Sequence, residues 1–200
     1  MTEPPPPNRV DDDAVDVSLM NKVAQGDHAA FEELVTRHQN AVVGTVAKML
    51  GNASESEDIA QQVFLRLWKS APRYKPSAKF TTFLFTITRN LVFNETRRKQ
   101  RRNEHSLDEQ EDDWHQQIPE ASESQPDAQV LHAEVQRAVA QAIANLPEKQ
   151  RLAVVLRRQE NMPYEEISKI LNLSVSAVKS QLFRARVTLR DSLQQFLVAE

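Results

Sequence analysis

Residues 163–186, "PYEEISKILNLSVSAVKSQLFRAR", have the pattern of two short helices joined by a turn. Ile167 in the first helix can pack on Val178 in the second, because apolar residues recur at three- and four-residue spacing in both. Asn172 tolerates the left-handed backbone that such a turn needs, and the Ser174 hydroxyl can cap the second helix. The stretch therefore predicts a helix-turn-helix.

The predicted helices cover residues 163–171 and 174–190, and the second has hydroxyls, a phenyl ring and cations on its outer face. A basic helix face is often only solvated. Here, however, the cations stand beside groups that can contact base edges in the major groove of DNA. The pattern therefore favours a DNA-binding face. Its candidate contact residues are Lys179, Ser180, Phe183, Arg184 and Arg186.

Charge is strongly segregated along the chain, although the formal net charge is only -3. Residues 89–102 hold six Lys and Arg against one acid, and residues 149–190 hold nine against three. Between them, residues 104–127 hold nine acids and no Lys or Arg. Phosphate responds to local basic patches and not to the total charge, so a nearly neutral protein can still bind nucleic acid.

The acidic block is predicted to link two helical lobes. It is rich in Glu, Asp, Gln, Ser and Pro and has no helical stripe, so it cannot bury enough apolar surface to order itself. The sequence on either side has helical spacing and no sustained strand-like alternation. Residues 17–51 carry one continuous helical pattern, which Gly51 is predicted to end, and Pro147 is predicted to begin another helix over 147–159. We therefore expect an all-α protein of two small helical domains joined by an acidic flexible linker. The predicted segments are a disordered head over 1–15, a first domain over 16–102, the linker over 103–127 and a helix-turn-helix domain over 128–200.

Composition argues against several other classes of protein. The chain has no Cys, which excludes disulfides and thiolate chemistry, and only three Gly, which argues against glycine loops that cradle phosphate. The five His show no metal-ligand spacing and no nucleophile motif is present, so we expect no enzyme, no cofactor and no metal site. No signal peptide or membrane span is predicted, which indicates a cytoplasmic protein.

Two longer stretches carry a family resemblance. The first, residues 26–98, begins "GDHAAFEELVTRH" and contains "EDIAQQVFLRLWK" and "KFTTFLFTITRN"; the second, residues 145–190, runs from "NLPEKQR" to "RARVTLR". They are similar, in this order, to the second and fourth conserved regions of bacterial sigma factors of the extracytoplasmic-function group. The chain departs from the family at Phe83, where Trp is common, and at Pro163, where a capping Ser is common.

The resemblance implies a contact with RNA polymerase core. The helix that contains "EDIAQQVFLRLWK" matches the segment with which the family docks on polymerase. Four of its apolar side chains are expected in the core of the domain: Ile59, Val63, Phe64 and Leu67. Trp68 suits core and interface equally well. The candidate polymerase contacts are Asp58, Gln61, Gln62, Leu65 and Trp68.

The resemblance also implies contacts with the −10 element of a promoter. The stretch "KFTTFLFTITRN" and the cations after it match the part that melts and holds this element, with Asn90 on a flipped base. Most of the aromatics Phe80, Phe83 and Phe85 are expected in the core, and at most one of them on DNA. The −10 candidates are Lys79, Thr82, Arg89, Asn90, Arg97 and Arg98, with Arg101 and Arg102 in the same basic cluster.

The final helix matches the family's reader of the −35 element. The resemblance places Ser180, Phe183 and Arg184 against base edges, where Arg can pair with guanine and Phe can pack on a thymine methyl. Lys179 and Arg186 are expected on phosphates, where they fix register without reading sequence.

The acidic linker has two interpretations that the sequence leaves open. In resembling proteins the linker runs along the polymerase channel that nascent RNA later occupies. A segment with nine acids imitates a phosphate backbone there, and Trp114 can anchor it. The alternative is a spacer that its charge keeps extended.

The sequence therefore predicts a transcription initiation factor whose partners are RNA polymerase core and promoter DNA and which is a monomer on core. The rival is an ordinary helix-turn-helix repressor or activator. That class explains the second lobe alone, and its members are usually dimers on palindromes that need no core polymerase. Whether an anti-sigma factor holds the chain inactive is also left open.

Overall fold

The computed structural model describes the backbone of residues 9–51, 53–106 and 127–197, and the side chains of residues 12–51, 55–102, 134–194 and 196. Within these residues all regular secondary structure is helical, which confirms the predicted fold class. The α-helices are α1 (Arg9–Val23), α2 (His28–Leu50), α3 (Ala53–Ser70), α4 (Phe80–Ser106), α5 (Asp127–Ala144), α6 (Glu148–Arg158), α7 (Tyr164–Leu171), α8 (Val175–Ser192) and α9 (Gln194–Leu197). The acidic stretch over 107–126, with Trp114, lies outside the described residues.

The amino-terminal part of the chain is more ordered than its composition predicted. Helix α1 begins at Arg9, so the prediction of a disordered head over 1–15 is wrong for residues 9–15. The error came from a local composition rich in Pro and Asp, which is typical of disorder. In the fold, Asp16 is only 2% exposed and pairs with two side chains of α2, while Met20 is fully buried. These long-range contacts supply the stabilisation that the local sequence lacks.

The long helical pattern before Gly51 is divided into two helices, α1 and α2. Between them Gly26 has a left-handed φ of 89°, a conformation that costs glycine little. Asp27 then caps α2, because its side chain accepts a hydrogen bond from the Ala30 N–H at 3.0 Å. The far end of α2 is at the predicted place, since Gly51 has φ 73° and its N–H donates to the Ala47 carbonyl.

The two lobes lie against each other and share one hydrophobic core. In the first lobe α3 packs between α2 and α4, and in the second lobe α6, α7 and α8 pack together. Across the lobes, α4 contacts α7 and α2 contacts both α5 and α6. As a result, buried apolar side chains from Met20 in α1 to Val178 in α8 belong to a single cluster.

Two charged side chains strengthen the contact between the lobes. The Lys79 ammonium lies 2.6 Å from a carboxylate oxygen of Glu166 in α7. Arg151 in α6 donates to the Met49 carbonyl in the last turn of α2 at 2.7 Å and to the Leu146 carbonyl at 3.1 Å. A cation at the end of α2 also interacts favourably with the helix dipole. Burial lowers the pKa of the Arg151 guanidinium below its ordinary value.

The helix-turn-helix forms as predicted. Asn172 between α7 and α8 has a left-handed φ of 52°, and the Ser174 hydroxyl accepts a hydrogen bond from the Ala177 N–H at 3.1 Å. Ile167 and Val178 are fully buried. Pro163 precedes α7 and makes no side-chain cap, yet the helix begins directly after it. Packing of the apolar face therefore outweighs the missing cap.

Candidate DNA and polymerase interface

The outer face of α8 is exposed along its predicted contact residues. Lys179, Ser180, Arg184 and Arg186 are all exposed, and Phe183 is 66% exposed. The opposite face is anchored in the core by Val178 and Ala185, which are fully buried. Helix geometry places Ser180, Phe183 and Arg184 on one stripe, because residues three and four apart are neighbours. Lys179 and Arg186 lie together at one edge of that stripe, beside the candidate base contacts, where they are suited to phosphates.

Tyr164 at the start of α7 supports the cations beside this face. Its ring lies 4.9 Å from the Arg157 guanidinium carbon and 5.9 Å from the Lys179 ammonium. Cations over an aromatic face are attracted by its quadrupole, so both side chains have a preferred position. Neither contact was expected from the sequence, since the three residues lie on three different helices.

The start of α4 brings together the first two −10 candidates, and they differ in accessibility. The Lys79 side chain is 43% exposed and paired with Glu166 of the other lobe. Thr82 is only 4% exposed, and its hydroxyl oxygen has no hydrogen-bond partner within the described structure. In this arrangement of the lobes Lys79 can still reach solvent, whereas Thr82 cannot touch DNA.

The aromatics at the start of α4 are mainly core residues, as predicted. Phe80 is fully buried and Phe85 is 2% exposed. Phe83 is half-buried, with its ring centroid 5.1 Å from that of Tyr74. Phe83 is therefore the one of these three with surface left for another contact. Burial raises the pKa of the Tyr74 hydroxyl, and the charges of Asp13 and Asp16 raise it further.

The later −10 candidates lie along the solvent side of α4. Asn90 and Arg97 are exposed. The Arg89 guanidinium is 5.8 Å from the centre of the Phe93 ring, which limits its orientations. Arg98 is exposed but donates two hydrogen bonds to one oxygen of Glu95, at 2.7 and 3.0 Å. All four side chains therefore lie on α4. Asn90 and Arg97 are the most available to bind a ligand, because Arg89 and Arg98 are engaged with Phe93 and Glu95.

The predicted polymerase face of α3 is also exposed. Asp58, Gln61 and Gln62 are exposed, and Leu65 is 57% exposed. The four apolar residues that the sequence assigned to the core are buried: Ile59, Val63, Phe64 and Leu67. Leu65 is thus an exposed apolar side chain among amides and a carboxylate, on the face that the resemblance assigns to polymerase.

Trp68 lies at the edge of this face and leans toward the core. Its ring stacks on His28, with centroids 4.7 Å apart, and meets Phe31 edge-on at 5.1 Å. The side chain is half-buried and packs against the core cluster. Core and interface were equally expected for Trp68; one part of the indole packs on the core and the rest is accessible on the α3 face.

The acidic residues that contact the start of α4 were not predicted from the sequence. Asp13 in α1 accepts a hydrogen bond from the Phe80 N–H, and Glu166 in α7 pairs with Lys79. A local signal existed only for Asp13, in the run of three acids at residues 11–13. No sequence pattern connects that run to a helix 67 residues later.

In the described part of the chain, no group of three or more His, Cys, Asp or Glu side chains is placed to hold a metal ion. Among the described helices, none combines the length and the apolar character that a membrane crossing requires.

Comparison with known families matches both lobes. The family model of sigma-70 region 2 matches residues 34–102, and that of sigma-70 region 4 matches residues 136–189. Together these ranges hold every candidate residue on α3, α4 and α8.

Two characterised relatives are similar over most of the chain. The extracytoplasmic-function RNA polymerase sigma-E factor of Haemophilus influenzae is 31% identical over 184 residues, which cover 91% of this chain and 97% of the relative. The extracytoplasmic-function sigma factor SigW of Bacillus subtilis is 31% identical and covers 88% of this chain and 95% of its own.

Solved structures share the same fold. CnrH, in complex with the cytosolic domain of CnrY, superposes with a TM-score of 0.65 at 23% identity and covers 90% of this chain and 98% of its own. The sigma factor RpoE of Bartonella quintana, in complex with the anti-sigma factor NepR, superposes with the same TM-score of 0.65 at 21% identity. The match covers 85% of this chain and 98% of the RpoE chain.

Proposed function

The chain belongs to the extracytoplasmic-function group of the sigma-70 family, and we propose that it binds RNA polymerase core and directs promoter-specific transcription initiation. The partners in this function are core polymerase and promoter DNA. The chain itself performs no covalent chemistry, since phosphoryl transfer belongs to the polymerase.

The observation that carries the proposal is the pair of exposed apolar side chains on α3 and α8. Three large hydrophobic residues are exposed within the described structure, and Leu65 and Phe183 are the two most exposed of them, at 57% and 66%. Each lies in a different matched region, among polar side chains suited to its own partner. One exposed candidate face in each matched region supports a protein with two binding faces, whereas an ordinary helix-turn-helix regulator needs only the second.

The α8 face is suited to the −35 element. Arg184 is exposed and able to form a bidentate pair with guanine, and Ser180 serves either base. The Ser180 hydroxyl donates to the Ser176 carbonyl at 3.0 Å, so its lone pairs stay free to accept from a base. Phe183 supplies the apolar surface that a thymine methyl requires.

The α4 face is suited to the melted −10 element. Unstacked bases need polar and aromatic surfaces, and their phosphates need cations. Asn90 offers an exposed amide for a flipped base, while Arg97, Arg101 and Arg102 are exposed cations on the same helix. Thr82 joins this set only once the start of α4 is uncovered.

A comparison of DNA binding with and without core polymerase tests the function. We expect the isolated protein to bind promoter DNA weakly, and the complex with core to bind it tightly and open it. A helix-turn-helix regulator would bind its site alone and gain nothing from core. Equal affinity in both conditions would therefore overturn the proposal. An anti-sigma factor is a further partner to be sought by the same assay, as a protein that abolishes the effect of core.

A further inference from the structure

We propose that Asp13 of α1 is a positioning residue for the −10 segment, because it caps the helix on which that segment lies. The inference rests on the proposed function and adds a role for an amino-terminal helix that neither matched region includes. Under this proposal the acidic first turns of α1 contribute to promoter opening.

The residue directly before α4 cannot cap the helix with its side chain. Lys79 stands directly before Phe80, the first residue of α4, and its side chain has no oxygen to accept a hydrogen bond. The first N–H groups of a helix lack intrahelical partners. Asp13 supplies one from a distant part of the chain, since its carboxylate accepts from the Phe80 N–H at 2.7 Å. A carboxylate there also interacts favourably with the positive end of the helix dipole.

Helix α1 is held so that this contact has a fixed position. Asp16, one turn further along, accepts from the Arg37 Nε at 2.8 Å and lies 2.8 Å from the His38 Nε2. Asp12 pairs with the same Arg37 at 3.0 Å. Both partners are on α2, so Asp13 is presented to α4 by a helix that is already attached to a third one.

Lys79, one of the −10 candidates, lies beside the cap. A cleft of about 430 Å³ is lined by Asp13 together with Lys79, Thr81 and Phe85. When the cap is lost, the Phe80 N–H has no partner and the first turn frays. Lys79, next to it, then loses its fixed position relative to the rest of α4. The rate of promoter opening depends on that position, because groups that act on DNA must be held in place before it arrives.

The Asp13 carboxylate could instead hinder promoter opening by occupying a place that DNA needs. The same N–H groups with Lys79 form a place that favours anions, including a DNA phosphate. If Asp13 occupied this place only until DNA displaced it, its removal would accelerate opening. The positioning role predicts slower opening, so the sign of the change distinguishes the two.

The test uses the complex of the full chain with core polymerase on a promoter that the unaltered protein opens. A 2-aminopurine in the non-template strand of the −10 element reports unstacking by its fluorescence. We expect Asp13→Ala to slow opening about fivefold, the effect of losing a helix cap. Asp13→Asn keeps the accepting oxygen and should stay within about twofold of the unaltered protein. Binding to core should be unchanged in both.

Glu32→Ala is the control, since it removes an exposed acid of α2 that takes no part in the contacts of Asp12, Asp13 or Asp16. We expect it to open the promoter at the normal rate. Amide exchange gives a second measurement that needs no DNA: the Phe80 N–H should be protected in the unaltered protein and in Asp13→Asn, and exposed in Asp13→Ala.

Unchanged or faster opening by Asp13→Ala would overturn the proposal, and so would an Asp13→Asn variant as slow as Asp13→Ala. If Asp13→Ala did not fold, a slow Asp13→Asn variant or an unprotected Phe80 amide in the unaltered protein would overturn it equally. Failure of the unaltered complex to open any promoter would instead refute the proposed function, so the two failures are distinguishable.

Discussion

Arg184 and Lys179 lie on the same exposed face of α8 but on different stripes of it. Arg184 shares its stripe with Ser180 and Phe183, and Lys179 stands at the flank, where its ammonium is near the Tyr164 ring. A residue in the centre of a recognition helix meets base edges, whereas one at the flank meets phosphates. The two cations should therefore differ in what their removal does to binding.

We expect Arg184→Ala to cost about 1–3 kcal/mol of binding free energy and to relax the preference at one base pair of the −35 element. Lys179→Ala should weaken binding to all sequences by a similar factor, because a phosphate contact carries no sequence information. Affinities of the core complex for a set of single-base promoter variants measure both effects. A uniform loss across all variants for Arg184→Ala would assign that residue to a phosphate.

Glu148 at the start of α6 gives a prediction on pH. Burial raises the pKa of its carboxyl above the ordinary value of 4.5, more than Thr96, Arg97 and the other nearby groups lower it. The folded state therefore holds this proton more tightly than the unfolded state does. The stabilising effect of that proton is fully present below the unfolded pKa and is lost as pH rises through the folded pKa.

Glu148→Gln removes this proton equilibrium while keeping the shape of the side chain. We expect the variant to be more stable than the unaltered protein at pH 7, with the difference shrinking toward pH 4. Thermal unfolding at the two pH values measures it, with the exposed Glu134→Gln in α5 as the control. A difference that grows toward pH 4 would show that the folded state prefers the carboxylate.

Single-residue features were predictable where the signal is local. The left-handed Asn172, the Ser174 cap and the Gly51 helix end all depend on residues within one or two turns, and all were confirmed. Contacts between distant residues were not predictable. The bond from Phe80 to Asp13 joins two segments whose relation only the tertiary fold creates.

At the scale of helices, α3 divides into a buried and an exposed face. Ile59, Val63 and Leu67 turn inward, whereas Asp58 and Gln61 turn outward beside the exposed Leu65. The buried residues maintain the domain, so changes on the outer face should affect a partner and not the fold. This separation makes α3 suitable for a test of polymerase binding.

We expect Asp58→Lys combined with Gln61→Ala to weaken association with core polymerase while leaving the free protein folded. Charge reversal replaces a carboxylate of the exposed face by a cation, which opposes any partner surface complementary to the acid. Glu33→Lys on the exposed side of α2 is the control for charge change alone. Affinity for labelled core and thermal unfolding are measured together. Unchanged affinity in a well-folded double variant would remove this face from the polymerase contact.

Helix positions followed from the sequence where amphipathic spacing and capping residues agree. Helices α6 and α7 begin within one residue of the predicted positions, because Pro147 and Pro163 mark their starts. Helix α1 was missed over residues 9–15 because acidic, Pro-rich composition indicates disorder and its stabilising partners lie on α2. The break at Gly26 was also missed, since apolar spacing continues across it.

The contact between the two lobes limits how the molecule can bind the two promoter elements. Elements centred 35 and 10 base pairs before the start site are about 25 base pairs apart, or about 85 Å along the helix axis. In the structure, α4 packs on α7, and Lys79 touches Glu166. One molecule cannot bind both elements and keep this contact. Promoter binding under the proposed function therefore requires the lobes to separate.

The two-lobe organisation was predictable from the alternation of basic and acidic segments, but the docking of the lobes was not. The lobes meet partly through apolar side chains, which the sequence pattern places in the core of one lobe or the other. They also meet through the hydrogen bond from Arg151 to the Met49 carbonyl, between residues 102 positions apart. Nothing in the local pattern of α6 distinguishes Arg151 from a solvated cation. The role of the acidic linker stays a prediction.

Transcription from a random promoter library shows whether the chain directs polymerase to a promoter of two parts. Purified core polymerase and this protein are incubated with the library, and the transcribed templates are sequenced. We predict that active templates share two short motifs at a fixed spacing, near positions −35 and −10, and that transcription requires both the protein and core. A single palindromic motif, or transcription unaffected by the protein, would refute the proposed function.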